Sequence, residues 1–350
     1  LAGALMLATT AAGVLLACGL SLREMTDALS RALEAILVLS ILLELYVGLV
    51  LRHPLIPVYM KSWDSVPISY YWVNGEILRG GPIQGIVGNR NPLAFIALLT
   101  LLCTAVRWAD RRVRLFGLVV WSGLSVLVLA LTASATVLVA VVVCVVITVV
   151  LWLMRHVPVA RRRLVSGVAL SLGVALAAAG LGLHSQVTDL LGRSSDLSGR
   201  WEIWTRVMDL WEQHTILGWG WVMYWPPWIP PFHTLVVRPD GTPTMSAHNA
   251  YVEALFQTGV VGGAIIAVLV VTVVYRSFRL ATDHLDFDAS VLLPALLMTA
   301  LVVQSFTESR LLSEGNWVVV CALETWLGMH RMIELERSDP WASPLTPRGR

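Results

Sequence analysis

Long apolar runs occupy most of this 350-residue chain and constrain its fold more than any other feature. About 20 apolar residues are enough to cross a bilayer as an α-helix. Only 14% of the residues are charged and 57% are hydrophobic, which is typical of membrane proteins rather than soluble domains. The runs predict an all-α integral membrane protein with about nine visible transmembrane helices. Their approximate limits are 1–20, 33–51, 92–108, 115–132, 136–154, 164–183, 253–275, 289–307 and 317–330.

Arginine divides the loops between these runs into two sets. The loops that follow the first, third, fifth, seventh and ninth runs hold 16 of the 25 Lys and Arg residues. Short loops rich in arginine stay in the cytoplasm by the positive-inside rule. We therefore expect the loop 52–91 and the large loop 184–252 to face away from the cytoplasm.

This alternation divides the chain into four parts. We expect N-terminal transmembrane helices over 1–183, an extracytoplasmic catalytic loop with short helices over 184–252, C-terminal transmembrane helices over 253–330 and a cytoplasmic tail over 331–350. With nine runs, the chain starts outside and ends inside, and it begins at Leu1 without a signal peptide. We interpret this as the loss of N-terminal helices; an outward-facing N-terminus is the alternative.

The large loop concentrates arginine, histidine and tryptophan at one membrane surface. The tryptophan spacing predicts a helix over 200–214 that lies on the membrane, with indole rings as interfacial anchors. A second helix is predicted over 246–259, with Ser246 as its N-cap. His248 would then lie in the first turn, where the positive end of the helix dipole favours a neutral imidazole that can accept a proton.

Five outward-facing arginines near predicted helix ends are candidate ligands for a diphosphate. A guanidinium group pairs with phosphate through a planar fork of charged donors, so several arginines around one cavity suit a diphosphate. The alternative is interfacial snorkelling or a salt bridge within a loop. The five are Arg90, Arg200, Arg206, Arg238 and Arg310.

His248 is the candidate general base that takes a proton from a hydroxyl group. The alternative is an ordinary capping or interfacial histidine, which is the more common case for an isolated residue. Glu44 and Glu324 fall inside predicted spans, where a carboxylate is costly and marks either a functional site or a pair buried in the bundle. These two glutamates keep a transport function open.

Motifs for nucleotide-dependent or metal-dependent chemistry are absent from the sequence. There is no glycine-rich phosphate loop, no GxSxG or HExxH motif and no Cys/His spacing for a metal, and the four cysteines fall inside predicted helices. We therefore expect no metal, no cofactor and no nucleic-acid partner. The absence of a nucleotide motif favours a donor that is already activated as a lipid diphosphate.

Three motifs lie in or beside the outward loops. They are Gly88-Asn89-Arg90-Asn91-Pro92-Leu93-Ala94; Ser198-Gly199-Arg200-x-x-Ile203-Trp204 with His214 and Leu217-Gly218-x-Gly220; and His248-Asn249-x-Tyr251-x-x-x-Leu255-x-x-x-Gly259-x-x-Gly262. Together they resemble the O-antigen ligase and O-antigen polymerase family of bacterial envelope proteins. Each motif alone is weak, and the combination is more specific.

The resemblance implies a metal-independent glycosyltransferase of the bacterial cytoplasmic (inner) membrane, with about twelve spans in the full chain. Such enzymes pass a glycan from an undecaprenyl-diphosphate carrier to a hydroxyl of a glycan or glycolipid acceptor, and we expect one inverting displacement. It implies catalytic roles for Arg200 and His248, with Arg238 as the candidate for a further diphosphate ligand. Arg90 and Arg310 are expected to be diphosphate ligands as well, because of their outward positions near helix ends. The expected supporting residues are Asn91, Asn249, Tyr251 and Glu308.

Two other functions remain open from the sequence. One is a transporter or a flippase for lipid-linked glycans, and the other is a non-catalytic scaffold in envelope assembly. Transporters place their polar sites near the bilayer midplane, whereas the polar residues here cluster outside it. Ligase and polymerase share a donor, so the sequence does not separate them.

Overall fold

Helices form nearly all the regular structure in the part of the chain that the computed structural model describes. That part comprises residues 1–60, 66–154, 194–226, 228–237, 243–283 and 288–338, with positions 156–158, 160–162, 164–165 and 167. Within it, the only extended pairings are two isolated β-bridges. The helices named below are α1 Ala2–Gly19, α2 Leu22–Tyr46, α3 Arg90–Ala109, α4 Leu115–Thr132, α5 Ala135–Met154, α6 Ser194–Trp211, α7 Phe232–Leu235, α8 Ala250–Asp283, α9 Leu293–Ser305 and α10 Glu314–Ser338.

Six of these helices are long and apolar enough to cross a membrane: α1, α2 extended by a π-turn to Leu51, α3, α4, α5 and α8. The apolar segment Ala289–Ser305, which includes α9, is shorter, and α10 contains the predicted run 317–330. The predicted run 164–183 lies almost wholly outside the described residues. The all-α membrane architecture is supported, but the count of nine spans is not confirmed.

The helices pack into one bundle with a continuous apolar core. α1 packs against α10, α3 lies against both α2 and α4, and α9 contacts α5 and α8. Buried residues such as Leu98 of α3 and Leu301 of α9 belong to this core. The outward faces of α4, α5 and α8 carry exposed valine, leucine and isoleucine side chains, as expected for surfaces in contact with lipid.

Charged residues form a network of ion pairs and hydrogen bonds at one end of the bundle. Arg107, near the end of α3, donates hydrogen bonds to Asp27 at 2.8 Å and Glu34 at 3.0 Å on α2. Arg112, just beyond α3, contacts Asp27 at 3.1 Å and donates to Ser290 at 3.1 Å. The arginine-dense loops assigned to the cytoplasm thus hold together the start of α2, the end of α3 and the segment before α9.

The loop between α2 and α3 is anchored at the opposite end by a buried carboxylate. Glu44 of α2 accepts hydrogen bonds from the backbone N–H groups of Gln84 at 2.7 Å and Gly85 at 2.9 Å. Ser40, one turn earlier, accepts another from the N–H group of Ile86 at 3.2 Å. Glu44 therefore satisfies backbone donors of a loop, which gives this membrane-embedded glutamate a structural role and sets the entry into α3.

Helix α8 is broken at Gly259, whose backbone angles (φ 64°, ψ −170°) are not helical. The break opens the two helical hydrogen bonds that would join Val260 to Phe256 and Val261 to Gln257. The segment 215–220 satisfies all four groups. Its bonds are Val260 N–H to Thr215 O (2.8 Å), Val261 N–H to Ile216 O (3.3 Å), Trp219 N–H to Phe256 O (3.0 Å) and Gly220 N–H to Gln257 O (2.9 Å).

Two glycines make this close backbone crossing possible. A Cβ atom at Gly259 would lie 2.2 Å from the carbonyl oxygen of Ile216, and one at Gly218 would lie 2.5 Å from the carbonyl carbon of Gln257. Both glycines also have positive φ angles, 64° and 68°, which side chains disfavour. The crossing therefore accounts for the glycines at 218 and 259 as structural requirements.

Candidate active site

The loop before α8 has a small apolar core of its own. Its buried members are Ile203, Val207, Trp225, Phe232, Ala247 and Phe256. Helix α6 turns Ile203 and Val207 into this core, with Trp204 and Trp211 packed beside them, whereas Trp201 is 66% exposed. The predicted tryptophan stripe is therefore only partly an outer anchor, because most of that face packs within the loop.

A fully buried carboxylate, Glu253 of α8, ties this core together. It accepts hydrogen bonds from the indole N–H of Trp225, the backbone N–H of Ala247 and the side-chain amide of Gln257, each at 2.6 Å. Gln257 in turn accepts from the backbone N–H group of Val222 at 2.7 Å. Glu253 thus fixes both Trp225 and the segment that leads into α8.

Ala247 links the helix that carries Arg200 to the segment that carries His248. Its carbonyl accepts a hydrogen bond from the indole of Trp204 at 2.9 Å, while its N–H group is held by Glu253. Arg200 lies one helical turn before Trp204 on α6, and His248 directly follows Ala247. The two predicted catalytic residues are therefore held in a defined relationship although they come from different elements.

The start of α8 differs from the prediction. The side-chain oxygen of Asn249 accepts hydrogen bonds from the N–H groups of Tyr251 at 2.9 Å and Val252 at 3.2 Å, so Asn249 and not Ser246 caps the helix. His248 precedes the helix and has a positive φ of 49°. The prediction that it lies in the first turn is wrong, because the capping chemistry of asparagine moves the helix start beyond it.

Arg200 and His248 converge on one carboxylate, Glu308, in the loop after α9. The Nη2 atom of Arg200 lies 4.0 Å from Oε1 of Glu308, and Nδ1 of His248 lies 3.7 Å from Oε2. The exposed fractions of these side chains are 16% for Arg200, 24% for His248 and 7% for Glu308. The arginine and the histidine remain partly open to a ligand, whereas the carboxylate lies behind them.

Asn91 and Ser309 attach this carboxylate to its neighbours. The side-chain amide of Asn91, in the first turn of α3, donates to Oε1 of Glu308 at 2.7 Å and accepts from the hydroxyl of Ser134 at 2.9 Å. Ser309 accepts a hydrogen bond from the backbone N–H group of Asn249 at 3.1 Å. Elements that are distant along the chain therefore meet at one point, at the end of the bundle opposite the Arg107 cluster.

The environment of Glu308 favours its ionised form. Burial on its own raises the pKa of this carboxyl group, but the nearby His248, the hydrogen bond from Asn91 and the positive charge of Arg200 outweigh it and lower the pKa below its ordinary value. The direct gap to His248 is too long for a hydrogen bond, and Nδ1 of His248 is buried without a hydrogen-bond partner among the described residues.

The remaining candidate residues fall into different surroundings. Arg90 is the exposed first residue of α3, next to Asn91. Arg310 lies 3.1 Å from Glu314 and 5.9 Å from the ring centre of Tyr224, so its observed contacts are not with Glu308. The ring of Tyr251 packs 4.9 Å from that of Phe306. Arg238 lies outside the described residues.

Two polar residues of this region, Ser134 and Glu253, were missed in the sequence. Ser134 lies in the short turn between two apolar runs, and a polar residue in such a turn carries no distinctive signal. Glu253 lies five residues after His248, and its position among apolar helix residues is the signal that could have marked it as a buried acid.

These observations define a multi-pass helical membrane protein in which a partly exposed arginine and histidine meet a buried glutamate at one end of the bundle. Residues 120–267 match the model of the O-antigen ligase family. The resemblance to the O-antigen ligase and polymerase family is thereby confirmed, and it supports a glycosyltransferase-type role for this membrane protein. The matched segment includes Arg200 and His248, whereas Asn91 and Glu308 lie on either side of it. No curated protein matches the chain.

Proposed function

We propose that the protein transfers a glycan from a polyprenyl diphosphate to an acceptor hydroxyl at the outer surface of the bacterial cytoplasmic membrane. The observation that carries this proposal is the convergence of Arg200 and His248 on Glu308, at 4.0 Å and 3.7 Å. A cation for a departing diphosphate and a base for an incoming hydroxyl are the two groups that such a displacement needs. The family match supports the same class of reaction.

Arg200 is assigned to the leaving group. Its guanidinium fork can donate two parallel hydrogen bonds to phosphate oxygens, and the negative charge that develops on the diphosphate strengthens them. Arg200 lies 4.0 Å from Glu308, longer than a hydrogen bond, so its guanidinium donors are not taken up by that carboxylate. Arg90, exposed beside Asn91, is assigned as a second diphosphate ligand.

His248 is assigned as the general base. With Nδ1 turned towards Glu308, Nε2 is the ring nitrogen left to accept the proton of the acceptor hydroxyl. The acceptor oxygen then forms its bond to the anomeric carbon while the bond from that carbon to the diphosphate oxygen breaks, and the diphosphate leaves with the electron pair. One displacement of this kind inverts the anomeric centre. Glu308, kept ionised by its surroundings, stabilises the positive imidazolium ring.

The outward orientation of the site is part of the proposal. It is supported by the separation of the cluster around Glu308 from the Arg107 network, which lies at the opposite end of the bundle where arginine-rich loops are expected in the cytoplasm. Glu202, exposed on α6, offers a direct test. The variant Glu202→Cys, in a background without native cysteines, should react with a membrane-impermeant maleimide in intact spheroplasts. Labelling only after lysis would place the loop in the cytoplasm.

A transporter or flippase is the second candidate function, and the membrane-embedded glutamates were its main support. Glu44 accepts two backbone hydrogen bonds from the loop before α3, and Glu324 pairs with Arg276. Each therefore has a structural partner, which weakens their interpretation as transport groups.

Reconstitution separates the two functions. Purified protein in liposomes is supplied with a polyprenyl-diphosphate oligosaccharide and an acceptor glycan, and products are followed by gel and mass spectrometry. A glycan joined to the acceptor supports the transferase. Movement of the lipid-linked donor between leaflets without product would contradict it. In a deletion strain, loss of long chains with single repeats retained would indicate a polymerase, and accumulated full-length carrier-linked chains would indicate a ligase.

A further inference from the structure

A groove on the flank of α6 is separate from the cluster around Glu308. It is formed by α6 and the segment after it on one side and by residues 231–235 on the other, and it has a volume of about 270 Å³. Ligand sites occupy roughly 300–1,000 Å³, so this one would take a short segment of a ligand. Its lining residues are Arg206, Asp209, Leu210, Gln213, Pro231 and Leu235.

The geometry of α6 shows that the groove and the candidate active site occupy different sides of the helix. Arg206 lies six residues after Arg200, about 9 Å along an α-helix and roughly 120° around it. Arg200 shares its side of the helix with the buried Ile203 and Val207, whereas Arg206 is exposed. A ligand in the groove is therefore either a distant part of the transferred molecule or a molecule of its own.

The polar side chains of the groove are free to bind a ligand. Arg206, Asp209 and Gln213 are all exposed. None of these three side chains makes a hydrogen bond or an ion pair with another side chain in the part of the chain described here. Arg206 and Asp209 are three residues apart on one helix and still do not pair with each other. Their hydrogen-bonding capacity is thus directed into the groove or to solvent.

The chemistry of the lining selects a neutral ligand rich in hydroxyl groups. One arginine and one aspartate leave no net charge, so the groove offers little attraction to a diphosphate. Adjacent hydroxyl groups can donate to the carboxylate of Asp209 and accept from the guanidinium of Arg206, and the amide of Gln213 can do both. Leu210, Pro231 and Leu235 supply an apolar wall that suits the C–H face of a sugar ring.

We propose that this groove binds sugar rings of the glycan chain, away from the end that reacts. The glycan class of the ligand rests on the proposed function. The groove would hold part of the chain on the flank of α6, while Arg200 at the beginning of the same helix contacts the diphosphate.

The test measures binding without turnover. The probe is the oligosaccharide released by mild acid from the polyprenyl-diphosphate pool of the native host, titrated onto the full-length protein in nanodiscs and followed by saturation-transfer NMR. The variant Arg206→Ala/Asp209→Ala should raise Kd at least tenfold, and Asp209→Asn should raise it by a smaller factor. The matched control Glu202→Ala/Glu212→Ala changes two exposed residues that do not line the groove, and it should keep the wild-type Kd.

Two results would overturn the groove as a glycan site: a Kd within twofold of wild type in the double variant, or an equal loss in the control. These results are distinguishable from a failure of the proposed function. If the groove variants bind normally while the wild type transfers glycan, only the groove proposal fails. If the wild type binds the oligosaccharide through Arg206 and Asp209 but forms no product with any acceptor, only the transferase proposal fails.

Discussion

The Nδ1 atom of His248 lies 3.7 Å from the Oε2 atom of Glu308, and the two residues belong to different loops. This contact changes the electrostatic setting expected for the histidine. The sequence predicted the histidine beside the positive end of a helix dipole, whereas the structure places an ionised carboxylate next to its ring. The pair therefore fits a base that must carry a proton during the reaction.

Replacing His248 with alanine should leave the fold intact and stop glycan transfer. The side chain is partly exposed and outside the apolar cores, so its loss creates no large cavity. Removal of a proton-transfer group costs about 10²–10⁴-fold in rate. The rate is measured with the reconstituted protein, and His53→Ala, at an exposed loop histidine, is the control. A wild-type rate in His248→Ala would remove this residue from the mechanism.

Glu308→Gln should change how stability depends on pH. Because the folded state lowers the pKa of Glu308, its ionised form contributes stability that is complete above the unfolded-state pKa of about 4.3 and is lost as pH falls through the lower folded-state pKa. The wild type should therefore have a higher Tm than Glu308→Gln near neutral pH, and the difference should shrink below pH about 4.3. Scanning fluorimetry across pH measures this, and a difference that is constant with pH would contradict it.

Arg200→Lys should bind the donor poorly although the charge is kept. A lysine places a point charge where the arginine offers a planar fork, so at least one charge-assisted hydrogen bond is lost. Such a bond is worth about 1.5–3 kcal/mol, or roughly 10- to 150-fold in kcat/KM. Arg79→Lys is the control, because the side chain of Arg79 is 80% exposed in the loop before α3. Equal kcat/KM values in Arg200→Lys and wild type would indicate a structural arginine.

Glu253→Gln should loosen the segment that leads to His248. Trp225, Ala247 and Gln257 each donate a hydrogen bond to this carboxylate, so an amide group turned towards them leaves at least one buried donor unpaired, at a cost of about 1–3 kcal/mol. We expect a lower Tm, a red shift in tryptophan emission from Trp225 and a fall in kcat larger than the change in KM. Glu202→Gln, at an exposed position of α6, should match the wild type. An unchanged kcat would show that Glu253 does not position the catalytic segment.

Gly259→Ala should destabilise the protein strongly. The new Cβ would lie 2.2 Å from a backbone oxygen at a φ of 64°, and strain of this kind costs about 1–3 kcal/mol before any overlap is relieved. Gly123→Ala in α4 is the control, since nothing lies within 4 Å of its Cβ position and alanine favours the helix. Expression yield and Tm measure both variants. Equal Tm values in the two would mean that the crossing at Gly259 is not tight.

The sequence predicted the membrane helices and the two residues that meet at Glu308 for different reasons. Apolar length alone indicates a membrane span, and the motifs around Arg200 and His248 are short and continuous, so both can be recognised in the sequence. The contacts around Glu308 cannot be predicted in this way. Asn91, Ser134 and Glu308 are distant along the chain, and only the packing of α3, α5 and α9 brings them together.

The start of α8 shows the limit of local rules in another way. Ser246 and Asn249 are both good N-caps, and capping preference alone does not decide between them. The choice is made by Glu253, which binds the N–H group of Ala247 and holds it outside the helix, and by Ser309, which binds that of Asn249. The contact with Ser309 joins residues that are 60 positions apart, and the contact with Glu253 spans six residues, so neither belongs to the local capping pattern that predicted the helix start.

The four hydrogen bonds between the segment 215–220 and the break in α8 also limit how the loop before α8 can move. Separating the segment from α8 would leave eight backbone groups without partners at once, four on the segment and four at the break in the helix. The first part of α8 and the loop before it should therefore move as a single cooperative unit. Donor and acceptor would then have to reach a nearly preassembled cleft, with adjustments confined to the side chains that line it.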